Sequence, residues 1–230
     1  MFIILLPKWH DLPLFLKHSD IKVYYNLLAE KQNQLRFKRF IDISLSIFLL
    51  ILLSPVFLFV IILIKLDSPG KIFFKQERVT QLGEKFYIFK FRTMYEYDSK
   101  IKCEITFKND KRVTRIGKFL RKFRIDEFPQ LLNILKGQMT FVGTRPEVFV
   151  FINEYSPEMY ATLLLPAGLV SMASIEFKDE VDIIKESNYM QVYTDEILPK
   201  KMEYNLDYIK KFNVFQDFKI MFMTLIKIFN

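Results

Sequence analysis

Asp126 and Glu127 are adjacent carboxylates just ahead of Pro129, in the stretch LRKFRIDEFPQLLNILKGQMTFVGTRPE. Proline is best tolerated in the first turn of a helix, so the pair is expected at a helix start, where free N–H groups and the positive dipole end stabilise carboxylate or phosphate oxygens. One carboxylate of such a pair can attack phosphorus while its neighbour holds a divalent metal over a diphosphate, because phosphoryl transfer chiefly needs positioning and charge neutralisation. Acidic residues at helix starts are also ordinary caps, so the pair alone does not decide the matter. Phosphate chemistry needs cationic partners as well. KQER, KFRTM, KRVTR and GTRP supply Arg78, Lys90, Arg92, Arg112, Arg115 and Arg145, while Arg121 and Arg124 stand beside the pair.

Other chemistries are poorly provided for. Cys103 is the single cysteine and His10 and His18 the only histidines, so neither an intrachain disulfide nor a zinc set at usual spacings can be assembled. No Walker-type loop or dinucleotide glycine pattern is present. A formal charge of +8 would suit nucleic acid, but 51% hydrophobic content with 25 Phe, and no nucleic-acid-binding motif, points instead to lipid and phosphate as the anionic partners.

The elements that must hold these groups start with a membrane segment. Residues 41–66 are almost continuously apolar, near the length of a spanning helix, but Ser54 and Pro55 interrupt them at the middle. Arg36, Lys38 and Arg39 precede the run, and Lys65, Lys71, Lys75 and Arg78 follow it, so both ends read as cytoplasmic. A re-entrant helix-break-helix satisfies that double basic flank; a kinked ordinary span is the alternative. The opening MFIILLP lacks the basic leader and length of a signal core, so Lys8 onward is expected in the mature chain. Ile21, Val23, Tyr24, Leu27 and Leu28 mark a short surface helix.

Downstream, KIFFKQERV and FYIFKFRTM, joined through Gly83, alternate as a two-stranded hairpin. Residues 116–123 form a basic amphipathic helix, 129–136 a helix closed by Gly137, and MTFVG a buried strand. Residues 157–165 and 197–212 are helical in pattern. The tail FQDFKIMFMTLIKIF is either an interfacial helix or a terminal helix packed on the core. The fold class is α+β: residues 1–35 a polar, helical extension, 36–67 the re-entrant membrane helix, and 68–230 a small mixed helix and strand catalytic region ending in an interfacial helix.

RFKRFIDISLSIFLLILLSP, FFKQERV, FKFRTM, RVTRIGKFLRKFRIDEFPQLLNILKGQMTFVGTRPE and YIKKFNVFQDFKIMFMTLIK, in that order, make the chain resemble the bacterial sugar transferases of the monotopic polyprenyl-phosphate phosphoglycosyl transferase family. The resemblance runs from about Arg36 to the C-terminus. It implies a membrane helix broken at Ser54 and Pro55 and a catalytic dyad of Asp126 and Glu127. Asp126 would attack the β-phosphate of a UDP-sugar, release UMP and carry the phosphosugar until undecaprenyl phosphate accepts it, with Glu127 helping to bind Mg²⁺. Arg121 and Arg145 match positions tied to phosphate or nucleotide binding.

The resemblance further implies the cytoplasmic face of a bacterial inner membrane, with membrane lipid as a partner; a homodimer is compatible with it. ASIEFKDE with EILPKKMEYNLDYI is similar to a subgroup from lipopolysaccharide and capsule assembly. The chain departs from the family pattern at Thr144 in VGTRP, at Thr80 in RVTQLG, and in LLLPAGLVSMASIEFKDE, where Ala167 separates Pro166 from Gly168. The competing reading is a catalytically inactive membrane-anchored scaffold of a glycan-assembly complex, against which the intact dyad argues.

Overall fold

The computed structural model describes residues 6–95, 110–178 and 189–229. Cys103 and the last two residues of ASIEFKDE lie outside them. Helix α1 (Ser19–Ala29) leads into α2 (Gln32–Leu52), and α3 (Ser54–Asp67) follows after one intervening residue. No single described helix is long and apolar enough to cross a membrane, but α2 and α3 together are, and they meet at a 60° bend. The bend has a local cause. Pro55 sits in the first turn of α3, where its missing N–H is tolerated, and Ser54 Oγ donates to Ile51 O at 2.8 Å across the break. Apolar side chains such as Ile51, Leu58, Phe59 and Ile62 stand exposed on this pair.

The polar side of α2 is buried against the rest of the chain. Lys38 Nζ donates to Asp217 Oδ2 at 2.6 Å and to Val142 O at 2.9 Å. Arg39 donates to the carbonyls of Ile134 and Leu135 at 2.6 and 2.9 Å, and Asp42 accepts from Thr140 Oγ1 and the Phe141 N–H. This changes the meaning of the basic flank: Lys38 and Arg39 are interior ties, and only Arg36 of the three faces outward.

Strands β1 (Phe73–Val79) and β2 (Lys85–Phe91) pair antiparallel with Phe73 opposite Phe91 and Val79 opposite Lys85, as the alternation around Gly83 requires. Helix α4 (Arg115–Lys122) is capped by Thr114, whose side chain accepts from the Gly117 N–H. A Cβ on Gly117 would lie 2.1 Å from Thr93 O, so glycine lets α4 press against the chain just after β2. A 3-10 turn (Ile125–Gln130) runs into the short α5 (Leu131–Leu135), and β3 (Met139–Val142) follows, every residue buried.

Helix α6 (Phe149–Ile152) and a 3-10 turn (Met159–Leu164) lead to β4 (Ala167–Val170), which pairs parallel with β3. A Cβ on Gly168 would fall 2.3 Å from Gly143 backbone atoms, so the close approach there needs glycine. Thr80, the departure in RVTQLG, is also used: its hydroxyl donates to Gln138 O at 2.6 Å and accepts from the Ala167 N–H at 3.1 Å. Thus the hairpin is stitched to the approaches of both β3 and β4.

Helix α7 (Met172–Glu176), α8 (Tyr189–Val192), a π-helical turn (Tyr193–Ile197), α9 (Leu198–Lys210) and α10 (Val214–Phe229) complete the order. Helix α10 buries Val214, Asp217 and Ile220 and exposes Phe215, Phe218, Phe222 and Leu225, so it packs inward on one side and presents an apolar face on the other.

The expected surface helix is α1, which keeps Lys22, Val23 and Asn26 exposed and turns its other face into the core. Leu12, Leu16, Ile21, Tyr24 and Leu28 belong to the main core, Trp9 packs edge-on to Tyr25, and Lys31 Nζ donates to Phe212 O at 2.7 Å. Apolar spacing in α1 marked the buried face; what it could not show is that the 3-10 turn at residues 159–164 and α9 supply a surface to cover it.

Candidate active site

The dyad is set by an unusual backbone turn. Arg124 has φ +55°, a left-handed conformation that strains a residue with a Cβ and recurs at functional sites, and it starts the 3-10 turn carrying Asp126 and Glu127. The Glu127 N–H is already donated to Arg124 O at 3.2 Å, and α5 begins only at Leu131. The expected open helix N-terminus beneath the dyad is therefore replaced by a 3-10 turn, and charge neutralisation falls to side chains. Asn133, which the sequence motifs did not single out, fixes the turn's position: its Oδ1 accepts from the Phe89 N–H at 3.0 Å, and its Nδ2 donates to Tyr87 O and Gln138 Oε1. An asparagine within LLNIL carries no local signal of that role.

Glu127 is clamped by cations from three parts of the chain. Lys90 Nζ on β2 lies 2.9 Å from Oε1, Arg145 Nη2 lies 2.5 Å from the same oxygen, and Arg124 Nη1 stands 3.8 Å from Oε2. Burial by itself would raise the Glu127 carboxyl, but the charges of Arg145, Lys90 and Arg124 outweigh it and hold the group well below the usual carboxylate range. Burial likewise lowers Lys90, against the attraction of Glu127.

Asp126 is treated differently. It accepts no hydrogen bond among the described residues, and burial, reinforced by the neighbouring Glu127 charge, pushes its carboxyl up to about 6 despite Lys90, Arg121 and Arg124 nearby. Two adjacent carboxylates are thus driven apart, one locked as an anion and the other poised near neutral pH.

Both line a cleft of about 380 Å³. Arg78, Lys90, Arg112, Arg121 and Arg145 line it with them, as does Arg124. Arg121 Nε donates to Thr93 Oγ1 at 2.8 Å, Arg112 pairs with Asp110, and Arg78 donates to Gln76 Oε1 and Pro146 O. Arg92 and Arg115 stand apart from this lining. The Arg92 guanidinium is turned to the chain just beyond α3, donating to the carbonyls of Ser68 at 2.6 Å and Pro69 at 3.0 Å, so the loop that follows the helix claims it. Arg115 is exposed at the start of α4. A second polar group faces the same cleft: Glu147, at the end of the TRPE stretch, with Tyr193 and Lys201, none of the three singled out as a site residue by the sequence.

The donor set also bears on a metal. Among the described residues no third carboxylate, histidine or cysteine joins Asp126 and Glu127. Mg²⁺ commonly takes one or two carboxylates and completes its octahedron with substrate phosphates and water. The dyad fits that mode of binding, and not a closed protein cage.

A buried carboxylate poised near neutral pH beside a clamped one, ringed by guanidinium and ammonium groups in an open cleft, is an arrangement suited to phosphoryl transfer. Comparisons with known proteins agree in kind. The sequence profile described as Bacterial sugar transferase matches residues 33–230. The chain is 34% identical over 195 residues to a UDP-glucose:undecaprenyl-phosphate glucose-1-phosphate transferase of Klebsiella pneumoniae, covering 83% of this chain and 40% of that protein. It is 35% identical over 192 residues to a UDP-N-acetylgalactosamine-undecaprenyl-phosphate N-acetylgalactosaminephosphotransferase of Aeromonas hydrophila, covering 82% and 42%. An uncharacterized sugar transferase of Bacillus subtilis is 32% identical over 192 residues, covering 83% of this chain and 86% of the relative. The chain spans about two-fifths of the length of the first two. Since the match takes in the bent helix pair, the dyad and every cation that clamps it, the chain belongs to the bacterial sugar transferase family.

Proposed function

We propose that the protein transfers a sugar 1-phosphate from a UDP-sugar to undecaprenyl phosphate, releasing UMP, as the initiating step of surface polysaccharide or glycoconjugate assembly. The observation that carries this reading is the division of labour in the dyad: Asp126 without a hydrogen-bonding partner among the described residues, Glu127 held by Lys90 and Arg145.

A group titrating at about 6 is ionised in roughly nine molecules of ten at pH 7. Asp126 then attacks the β-phosphorus, the bond to the bridging oxygen breaks, and UMP leaves with that oxygen, so the sugar phosphate stays on Asp126 as an acyl phosphate. An oxygen of undecaprenyl phosphate next attacks the same phosphorus, forming the lipid diphosphate sugar and returning Asp126 as a carboxylate. Arg145, Lys90, Arg121 and Arg124 hold the diphosphate charge, a task suited to planar guanidinium groups. Glu127 would hold Mg²⁺, which when bound neutralises diphosphate oxygens.

The acceptor's phosphate lies at a membrane surface, and the bent α2–α3 pair with the exposed apolar face of α10 supports an entry and return on the cytoplasmic side of a bacterial inner membrane. Anchoring the cleft at that depth replaces diffusion by proximity. The test is UMP release from a UDP-sugar panel by detergent-solubilised protein, with undecaprenyl phosphate and Mg²⁺ each present or omitted. Release dependent on Mg²⁺ and on Asp126, with a sugar-phosphate mass on the peptide containing Asp126 when acceptor is omitted, is expected. Silence across the panel from folded protein would defeat the reading.

A further inference from the structure

Three buried polar side chains face the cleft without touching the dyad. Tyr193 Oη donates to Glu147 Oε1 at 2.6 Å and lies 3.1 Å from Lys201 Nζ, which donates to it in turn. Lys201 and Glu147 stand 3.9 Å apart, so the phenol joins them. All three are at least nine-tenths buried yet line the cleft. Glu147 Oε2 accepts no hydrogen bond among the described residues.

Burying a carboxylate and an ammonium costs desolvation that well-packed apolar residues avoid, so such a group is weak evidence for stability and better evidence for a task. The positioning is deliberate in physical terms. Tyr193 opens a π-helical turn, a rare geometry concentrated at functional sites, and its ring packs 4.3 Å from that of Phe151 with Lys201 Nζ 5.1 Å from its centroid.

We propose that Glu147, Tyr193 and Lys201 form the subsite that reads the hexose hydroxyls of the donor, an inference that rests on the transferase reading above. Two arguments select the hexose over the nucleoside. The first is reach: Glu147 follows Arg145 by two residues, and Arg145 holds Glu127, so the Cα atoms of Arg145 and Glu147 are at most about 7 Å apart. The hexose is bonded directly to the phosphate that Asp126 attacks, whereas the uridine is one phosphate further away. The second is chemistry. An acceptor in Glu147 and a donor in Lys201, tied together by a phenol whose proton goes to Glu147, match neighbouring hydroxyls of a pyranose, each of which donates and accepts at fixed stereochemistry.

The experiment compares wild type with Tyr193→Phe and Glu147→Gln, measuring kcat/KM on UDP-glucose, UDP-galactose and their N-acetylhexosamine counterparts, UMP affinity by calorimetry, and melting temperature. Tyr193→Phe keeps the ring on Phe151 and removes only the oxygen that joins Glu147 to Lys201, and the melting temperature reads what that removal does to the fold. The expected result on the preferred donor is a loss of about twofold to tenfold for Tyr193→Phe, which removes a neutral group, and of about tenfold to a hundredfold for Glu147→Gln, which removes a charged one. UMP affinity should stay within about twofold of wild type and the discrimination between epimers should narrow. Reduced UMP affinity, unchanged donor ratios, or an equal loss on all donors with a lowered melting temperature would each overturn the inference. Wild-type silence on every donor strikes the transferase reading itself, which separates the two failures.

Discussion

Replacing Asp126 by asparagine should abolish turnover and yet stabilise the protein, and the size of the gain should depend on pH in a way fixed by the site. Burial and the Glu127 charge raise the folded-state pKa of Asp126 from an ordinary 3.8 to about 6. A group raised in this way favours folding when protonated, so its contribution is fully present below 3.8 and is lost as pH rises through about 6. The interval corresponds to about 3 kcal/mol at neutral pH and above. An asparagine amide never ionises, so Asp126→Asn should exceed wild type by about that amount at pH 8 and converge with it near pH 3.5. For a chain of this length that is a rise in melting temperature of about 6–12 °C. Thermal melts of both proteins in one detergent across pH 3.5–8 test this. A pH-independent difference, or a destabilised variant at pH 8, would refute the assignment of Asp126 as a strained, buried anion.

The rate should carry the same signature: the single-turnover rate constant for UMP release in the first half-reaction, without acceptor, should have an acid limb near pH 6, falling about tenfold between pH 7 and pH 5, whereas an ordinary aspartate would leave it nearly flat. Omitting the acceptor matters because its own phosphate titrates near the same pH. Arg145→Met should lower kcat/KM by about tenfold to a hundredfold, with Arg145→Lys recovering only part, since a point charge lacks the guanidinium's fork onto Glu127. Lys38→Met should cost about 3–5 kcal/mol by leaving Asp217 buried without its cation, and the double variant with Asp217→Asn should recover most of that; denaturation midpoints of the three proteins measure it. Cysteines placed near Arg36 and Lys71, after replacement of Cys103, should label from the same side of oriented vesicles, while opposite-side labelling would favour a span.

Local chemistry dictates part of this protein before any distant contact forms. A proline near the middle of an apolar run bends it, alternation around Gly83 makes a hairpin, and a basic amphipathic run makes α4. The adjacency of Asp126 and Glu127 placed two carboxylates in one turn whatever the fold. It could not reveal which cations meet them, because every arginine looks alike until a distant partner claims it. Lys90 and Arg145 reach Glu127 from β2 and from the loop after β3, while Arg92, two residues beyond Lys90, turns to the carbonyls just beyond α3. Lys38 and Arg39 were legible as a charged flank and are interior ties, for Asp217 and the end of α5 lie far along the chain. Packing between distant segments is also what makes Asp126 and Glu127 differ. Neighbours in sequence share composition, but desolvation and the nearest guanidinium act over a few ångströms, and only the folded chain sets those distances.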